Sequence, residues 1–242
     1  MLVQDWREEQ NPTNYTKVNL EISRLVAGES IGVYKVTFGP HVRGVHHSHR
    51  YLDEHHFLPD PIDGLHLVGS KAARCTQSDI VYIKHGRVHA FRNDEARERS
   101  FLFVSGSRRT GPWDFVQDIT TYPELDFPTK LAPDLRNLGG RQLGDMLVEL
   151  VDRKRDRNVA RRLSLDGLAL LHYVVCVEDE FTQSASRTDM QYFVANGEGE
   201  IEIDGSATRV ARDDVFVMPA ETGGKVINRG GLILYQFGLR DR

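Results

Sequence analysis

Short runs of β-branched and aromatic residues, broken every few positions by Gly, Pro, Asn or Asp, fill residues 16–104 and return from about Leu168 to the end. In the first stretch they include residues 30–38 (SIGVYKVTF), 79–83 (DIVYI) and 101–104 (FLFV). In the second they include residues 168–177, 191–195, 200–203, 214–218 and 232–237. Runs this short, spaced by turn formers, suit antiparallel barrels or sandwiches and little else. Two β units are therefore expected, in one chain of 242 residues whose 40% hydrophobic content is enough to bury a core in each.

The texture changes between the two units. Pro112, Pro123, Pro128 and Pro133 punctuate a connector, and residues 140–157 then place Leu143, Met146, Leu147, Leu150 and Val151 at intervals of three and four. That spacing predicts one amphipathic helix. The expected organisation is a first unit over 1–115, a connector with a helix over 116–165, and a second unit over 166–242. Arg153, Lys154, Arg155, Arg157, Arg161 and Arg162 alternate with Asp152 and Asp156 and carry no interleaved aromatics, so they read as a solvated helix face.

Charge and motif content exclude several classes. A formal net charge of −4 gives no electrostatic reason to expect nucleic acid or an acidic membrane as partner. Cys75 and Cys176 stand far apart, in no metal-knuckle or redox spacing, which fits a reducing cytoplasm. The N-terminus carries acids where a signal peptide has bases, and no run of apolar residues is long enough to span a bilayer. A P-loop and a His-Glu-x-x-His helix are both missing from the sequence.

What remains is an asymmetry of histidine. Nine of the ten histidines precede residue 90, and the densest group lies in residues 44–57, GVHHSHRYLDEHHF. On a strand, side chains two apart share a face, so His47 and His49 would project together into an interior. A carboxylate follows. Strand parity favours Asp53, whereas reach and a bend in the chain favour Glu54, which is taken here as the ligand with Asp53 as its alternative. A strand, a turn at residues 84–86 and a returning strand would bring His89, Phe91 and Asn93 to one face. Three imidazoles and one carboxylate form an open transition-metal site, because two positions of an octahedral ion stay free. His46 competes with His47. His55 has the wrong parity or lies in the bend, and His41, His56, His66, His85 and His172 read as surface or core residues. Arg43 shares parity with His47 and His49 and is a candidate clamp for a substrate carboxylate.

These two segments resemble the paired signature motifs of the cupin superfamily. His47-Ser-His49 with Asp53-Glu54 stands for the first, and Gly86, His89 and Asn93 for the second, with Lys84 where the motif has proline and Ser78 where it opens on glycine. The second half is similar to the same fold with its ligands gone: the metal positions fall on Ser184, Ser186, Met190 or Gln191, and Gly224. The resemblance implies an all-β bicupin of two antiparallel β-barrels, the first armed with metal and the second structural.

It further implies a metal-dependent oxygenase of a small organic molecule, with Fe(II) held by His47, His49, Glu54 and His89 and with dioxygen as co-substrate. Zn, Mn or Ni would suit the same donors. The alternatives are a redox-neutral isomerase, lyase or cyclase, and a non-catalytic small-molecule-binding bicupin. A cytoplasmic homodimer is the expected setting.

Overall fold

The computed structural model describes residues 3–5, 13–15, 20–27, 31–58, 63–77, 79–107, 119–129, 158–163 and 169–240. Among them are strands and turns but no helix. The helix expected over residues 140–157 lies outside the described residues.

The first half is a sandwich of two sheets. One runs in the order β2 (Thr13–Tyr15), β3 (Leu20–Ala27), β4 (Ile31–Phe38), β11 (Arg99–Ser107), β6 (Leu52–Phe57) and β9 (Ile80–Ile83). The facing sheet runs β12 (Ile119–Thr121), β5 (His47–His49), β10 (His89–Asn93), β7 (Gly64–Val68) and β8 (Lys71–Cys75). Their inner faces share one apolar cluster that includes Tyr34, Val36, Phe38, Leu52, Phe91, Phe101 and Phe103. Tyr34 stacks on Phe103 with ring centroids 4.6 Å apart, and Phe38 meets Phe91 edge-on at 4.5 Å. Such pairs add about 0.5–1.5 kcal/mol each to what burial alone supplies.

The second half is one sheet of eight strands: β1 (Val3–Asp5), β18 (Asp214–Met218), β16 (Met190–Ile203), β19 (Gly224–Leu239), β14 (Leu170–Cys176) and β13 (Val159–Leu163), with β15 (Glu180–Gln183) on β19 and β17 (Ser206–Ala211) on β16. The separate runs at residues 191–195 and 200–203 belong to one continuous strand, β16. Bulges at Val194/Asn196, Asn196/Glu198 and Glu198/Gly199 bend it, so a Gly-rich stretch that looks like a turn carries the ladder onward. Gly197 has φ +78°, and a Cβ there would strike the backbone of Gly230 and Gly231, which is why only glycine fits the bulge. The chain's first strand, β1, pairs with β18.

The expectation of two closed barrels is corrected to three open sheets. Closure in the first half is replaced by a corner, where the chain leaves one sheet at His49, bends through Arg50 and Tyr51, and enters the facing sheet at Leu52.

A second apolar cluster joins the halves. Leu25, Ile31, Val33, Phe57, Ile80, Tyr82, Leu102 and Val104 meet Leu163, Leu170, Val174, Cys176, Phe193, Val215, Tyr235 and Phe237. Phe57 lies at its centre, stacked on Phe237 at 5.7 Å and edge-on to Phe193 at 5.2 Å. Polar ties flank this seam. Asp53 accepts hydrogen bonds from the backbone N–H of Ala169 and from His85, and Gln191 donates to the carbonyl of Ile31 at 2.5 Å.

Candidate metal centre

The corner at residues 50 and 51 builds the site. His47 and His49 sit on β5, and their strand neighbour β10 pairs His89 directly with His47, so three imidazoles share the inner face of one sheet. Glu54 sits on β6 in the facing sheet and reaches across the sandwich to meet them. The ring centroids of His47 and His89 are 4.2 Å apart, those of His47 and His49 5.3 Å, and those of His49 and His89 5.5 Å. One ligand atom from each of the three lies within 4.8 Å of the others. A second, overlapping group of the same compactness joins Glu54, His56 and His89.

Backbone carbonyls fix which nitrogen faces inward. Nδ1 of His47 donates to the carbonyl of Val45 at 2.9 Å, and Nδ1 of His89 donates to that of Arg87 at 3.0 Å. A carbonyl oxygen only accepts, so each ring carries a hydrogen on Nδ1 and aims Nε2 inward. Burial, with the neighbouring His89 and His49, pushes the His47 pKa well below the usual imidazole range. Glu54 is fully enclosed, and burial alone would raise its pKa. The charge and hydrogen bond of His49 and the hydrogen bonds of His56 and His89 reverse that and hold the carboxyl ionised, well below its ordinary value. Its Oε1 lies 3.1 Å from Nε2 of His49, and its Oε2 lies 3.1 Å from Nε2 of His89.

The Nε2 atoms of the imidazoles and the carboxylate of Glu54 thus converge in a buried space, an arrangement that shared protons or a cation hold together. One divalent ion does so for all of them together. By donor set, the residues fit a borderline transition metal better than a hard oxygen-seeking one.

The remaining motif residues serve the scaffold. Gly86 takes φ +75° in the turn at residues 84–87, donates its N–H to the carbonyl of His49 at 2.6 Å, and so ties the second motif to the first. Asn93 donates to the carbonyls of Gly39 and Arg97, both at 2.8 Å, and accepts from the N–H of Glu95 at 3.0 Å.

A small pocket opens beside the cluster. His47, Glu54, His56 and His89 form its polar side, and Ile22, Val36, Phe38, Phe91, Phe101 and Phe103 form its apolar wall.

The structure separates the sequence candidates. Glu54 joins the imidazoles, while its alternative Asp53 points to the opposite face, where the ring and backbone of His85 bind it at 2.8 and 2.9 Å. His46 turns away from the cluster and packs edge-on against Phe127 at 4.9 Å. Arg43, expected to face the cavity, is directed elsewhere. Its guanidinium pairs with Asp126 at 2.6 Å, donates to the carbonyl of Leu125 at 2.7 Å and lies over the ring of Phe127. The reason is local: residues 44–46 are not strand, so the alternation counted from His47 does not carry back to Arg43. His56, read from sequence as a surface or core residue, lies against Glu54 with Nε2 3.0 Å from Oε2, and His66 lies behind it. The signal was present in the two-residue spacing from Glu54 to His56, once parity is counted from the carboxylate instead of from His47.

At the positions expected to be disarmed, Ser186 accepts from the N–H of Thr188, Gln191 ties the seam, and a Cβ on Gly224 would meet the carbonyl of Glu202 at 2.8 Å.

No protein-family model matches this sequence, and no curated protein matches it. Solved structures do. A variant of salicylate 1,2-dioxygenase from Pseudoaminobacter salicylatoxidans superposes with a TM-score of 0.70 at 13% identity, over 86% of this chain and 70% of that one. Another variant of the same enzyme, in complex with gentisate, gives 0.68 at 14% identity, over 86% and 68%. A variant of oxalate decarboxylase from Bacillus subtilis gives 0.64 at 12% identity, over 100% and 78%. Both enzymes are cupins, and the likeness establishes the fold: this chain folds as a cupin, with a histidine-rich candidate metal site in its first half.

Proposed function

We propose that this protein is a metalloenzyme that acts on a small organic molecule and that its reaction is an oxygenation at iron(II). The observation that carries the reading is the convergence of three buried imidazoles and one ionised carboxylate at the floor of a pocket with a phenylalanine wall. His47, His49, His89 and Glu54 would hold the ion. Iron(II) with two open positions supplies the one-electron chemistry that dioxygen needs. The carbonyls of Val45 and Arg87 keep the histidine nitrogens aimed at the centre, an orienting role that commonly accompanies metal-bound imidazole. Phe38, Phe91, Phe101 and Phe103 exclude water and offer an apolar surface to the substrate. The similarity to a dioxygenase that binds gentisate supports this choice among metal-dependent reactions.

Protein purified without oxygen should carry one transition metal per chain and should consume oxygen with at least one member of a panel of aromatic acids, keto acids, amino acids and sugars. Stoichiometric metal without oxygen uptake, but with anaerobic turnover, would move the assignment to a redox-neutral lyase or isomerase, the reading favoured by the full-length match to a decarboxylase. Purified protein that takes up no metal would defeat both.

A further inference from the structure

We infer that His56 is a positioning residue of the metal centre, which fixes the carboxylate of Glu54 by hydrogen bond and is itself fixed by His66. The inference rests on the metal-centre reading above. The Nε2 of His56 lies 3.0 Å from Oε2 of Glu54, and in a hydrogen bond to a carboxylate oxygen that also serves a metal the imidazole is the donor, which puts a hydrogen of His56 on Nε2. Its Nδ1 then bears the lone pair and receives the Nε2–H of His66 across a longer contact of 3.4 Å.

Neither ring is free to turn. His56 packs on Phe101 at 5.0 Å and Phe103 at 5.9 Å, and His66 packs on Phe91 at 4.7 Å and Phe101 at 5.2 Å. The result is a chain of three buried groups, Glu54, His56 and His66, running from the cluster into the phenylalanine wall.

Two observations assign His56 to orientation over ligation. His56 meets Glu54 through Nε2 at 3.0 Å and the ring nitrogen of His66 through Nδ1 at 3.4 Å, so both of its nitrogens are taken up by protein partners, whereas Nδ1 of His47 and of His89 is bound to a backbone carbonyl and only Nε2 faces the cluster. In addition, His56 lies outside the group that His47, His49 and His89 form at ligand distance and stands on the far side of Glu54, toward His66. Its bond takes up one lone pair of Oε2 and sets the plane of the carboxylate, leaving Oε1 facing His49 and the rest of Oε2 facing His89. Without it, Glu54 would rotate about its side-chain torsions among apolar neighbours. Loss of an outer partner of this kind commonly costs about 10- to 100-fold in metal affinity.

The test uses the full-length protein with Co(II) as the affinity probe, in competition with a chelator, and Cu(II) as the probe of coordinated nitrogen by pulsed EPR. His56→Gln keeps an N–H donor within reach of Glu54 and should bind Co(II) within about threefold of the parent, whereas His56→Ala should lose about 10- to 100-fold. The number of coordinated imidazoles should be the same in all three. His66→Phe, which preserves ring packing, should lose less than His56→Ala in the same direction.

A coordinated imidazole missing from His56→Gln would make His56 a ligand and overturn the inference. So would His56→Ala binding as tightly as the parent. If His56→Ala does not fold, His56→Gln and His66→Phe decide the matter, because binding in His56→Gln as poor as that of a ligand deletion sinks the positioning role. Failure of the parent to bind Co(II) at all is a separate result, which removes the metal-centre reading itself and this inference with it.

Discussion

The two halves are both built of antiparallel strands and differ in what they enclose. The first buries His46, His47, His49, Asp53, Glu54, His55, His56, His66 and His89, whereas the second buries His172, Asp189, Gln191 and Gln236 and fills its interior with Val175, Val194, Ile201, Phe216, Val226 and Leu234. In the second half one buried polar group is tied internally: Gln236 donates to Oε1 of Gln183 at 2.6 Å, and Tyr192 donates to the same oxygen at 3.2 Å. In the first half, by contrast, four imidazoles crowd on one buried carboxylate. A buried polar group without a partner costs stability, so this half carries a burden that a purely structural sandwich has no reason to keep. The second half, one eight-stranded sheet, carries a single buried histidine, His172, which lies in the seam against Phe237 and Tyr235.

The comparison breaks most decisively at His89. His89→Ala removes the one residue common to both candidate ligand groups and should lower metal affinity by more than the roughly 100-fold expected for losing an outer partner. Metal content after dialysis measures it. Removing the side chain should leave the second half intact, so the seam should melt as before in the metal-free protein. Parent-like metal content in His89→Ala would mean that the two halves do not differ in the way described.

Phe57→Ala tests whether the halves are one cooperative body. Phe57 is fully buried between Phe193, Tyr235 and Phe237, and truncating it should cost about 3–5 kcal/mol. Calorimetry should then show a single transition at lower temperature. Two resolved transitions would show that each half stands alone and that the seam is a docking surface between independent units.

Much of this contrast was legible in the sequence, for reasons of local geometry. His47 and His49 follow from strand alternation, and His89 follows from a turn that needs Gly86 at positive φ. What escaped was anything that depends on the corner at residues 50 and 51. Alternation resets there, which is why Asp53 and Glu54 could not be told apart by parity and why His56 was read as incidental. Arg43 was misplaced by the same kind of break at residues 44–46. Closure into barrels was not legible either, since a strand that passes from one sheet to its partner has the same residue pattern as one that closes a barrel. In the second half, Asn196, Gly197 and Gly199 have turn composition but serve as bulges in a strand of 14 residues, a distinction set by the partner strand and not by the residues themselves.

A third prediction concerns acid stability, and it probes the seam from the second half. His172 is fully buried against Phe237 and Tyr235, and neither of its ring nitrogens has a hydrogen-bond partner among the described residues. Burial lowers its pKa to about 3. Between pH 6.5 and 3 the unfolded chain therefore binds a proton that the folded chain refuses, so stability is complete above pH 6.5 and falls as pH drops through that window, by up to about 1.4 kcal/mol per unit. His172→Leu should flatten this acid limb. At pH 7.5 it should leave stability unchanged or slightly raised, since it removes two unsatisfied nitrogens while filling a similar volume. Denaturant melts at pH 7.5, 6 and 5 measure both effects. An unchanged acid slope would show that His172 reaches water or a partner in the folded protein.

The smallest expected effect belongs to Arg43 and sharpens the border of the site. Its side chain is 41% exposed and that of its partner Asp126 is 84% exposed, so the pair is screened by solvent and its loss should cost no more than about 1 kcal/mol. Because the guanidinium is bound to Asp126 and the Leu125 carbonyl and lies over Phe127, it does not reach the pocket lined by His47, Glu54, His56 and His89. Arg43→Ala should accordingly leave Co(II) affinity at the parent value and, once a substrate is in hand, shift KM by no more than about twofold, the scale of a surface charge. A tenfold rise in KM with unchanged kcat would show that Arg43 swings from Asp126 to clamp an anionic substrate. The functional face of the first half would then extend beyond the sandwich interior to its rim, where no imidazole stands.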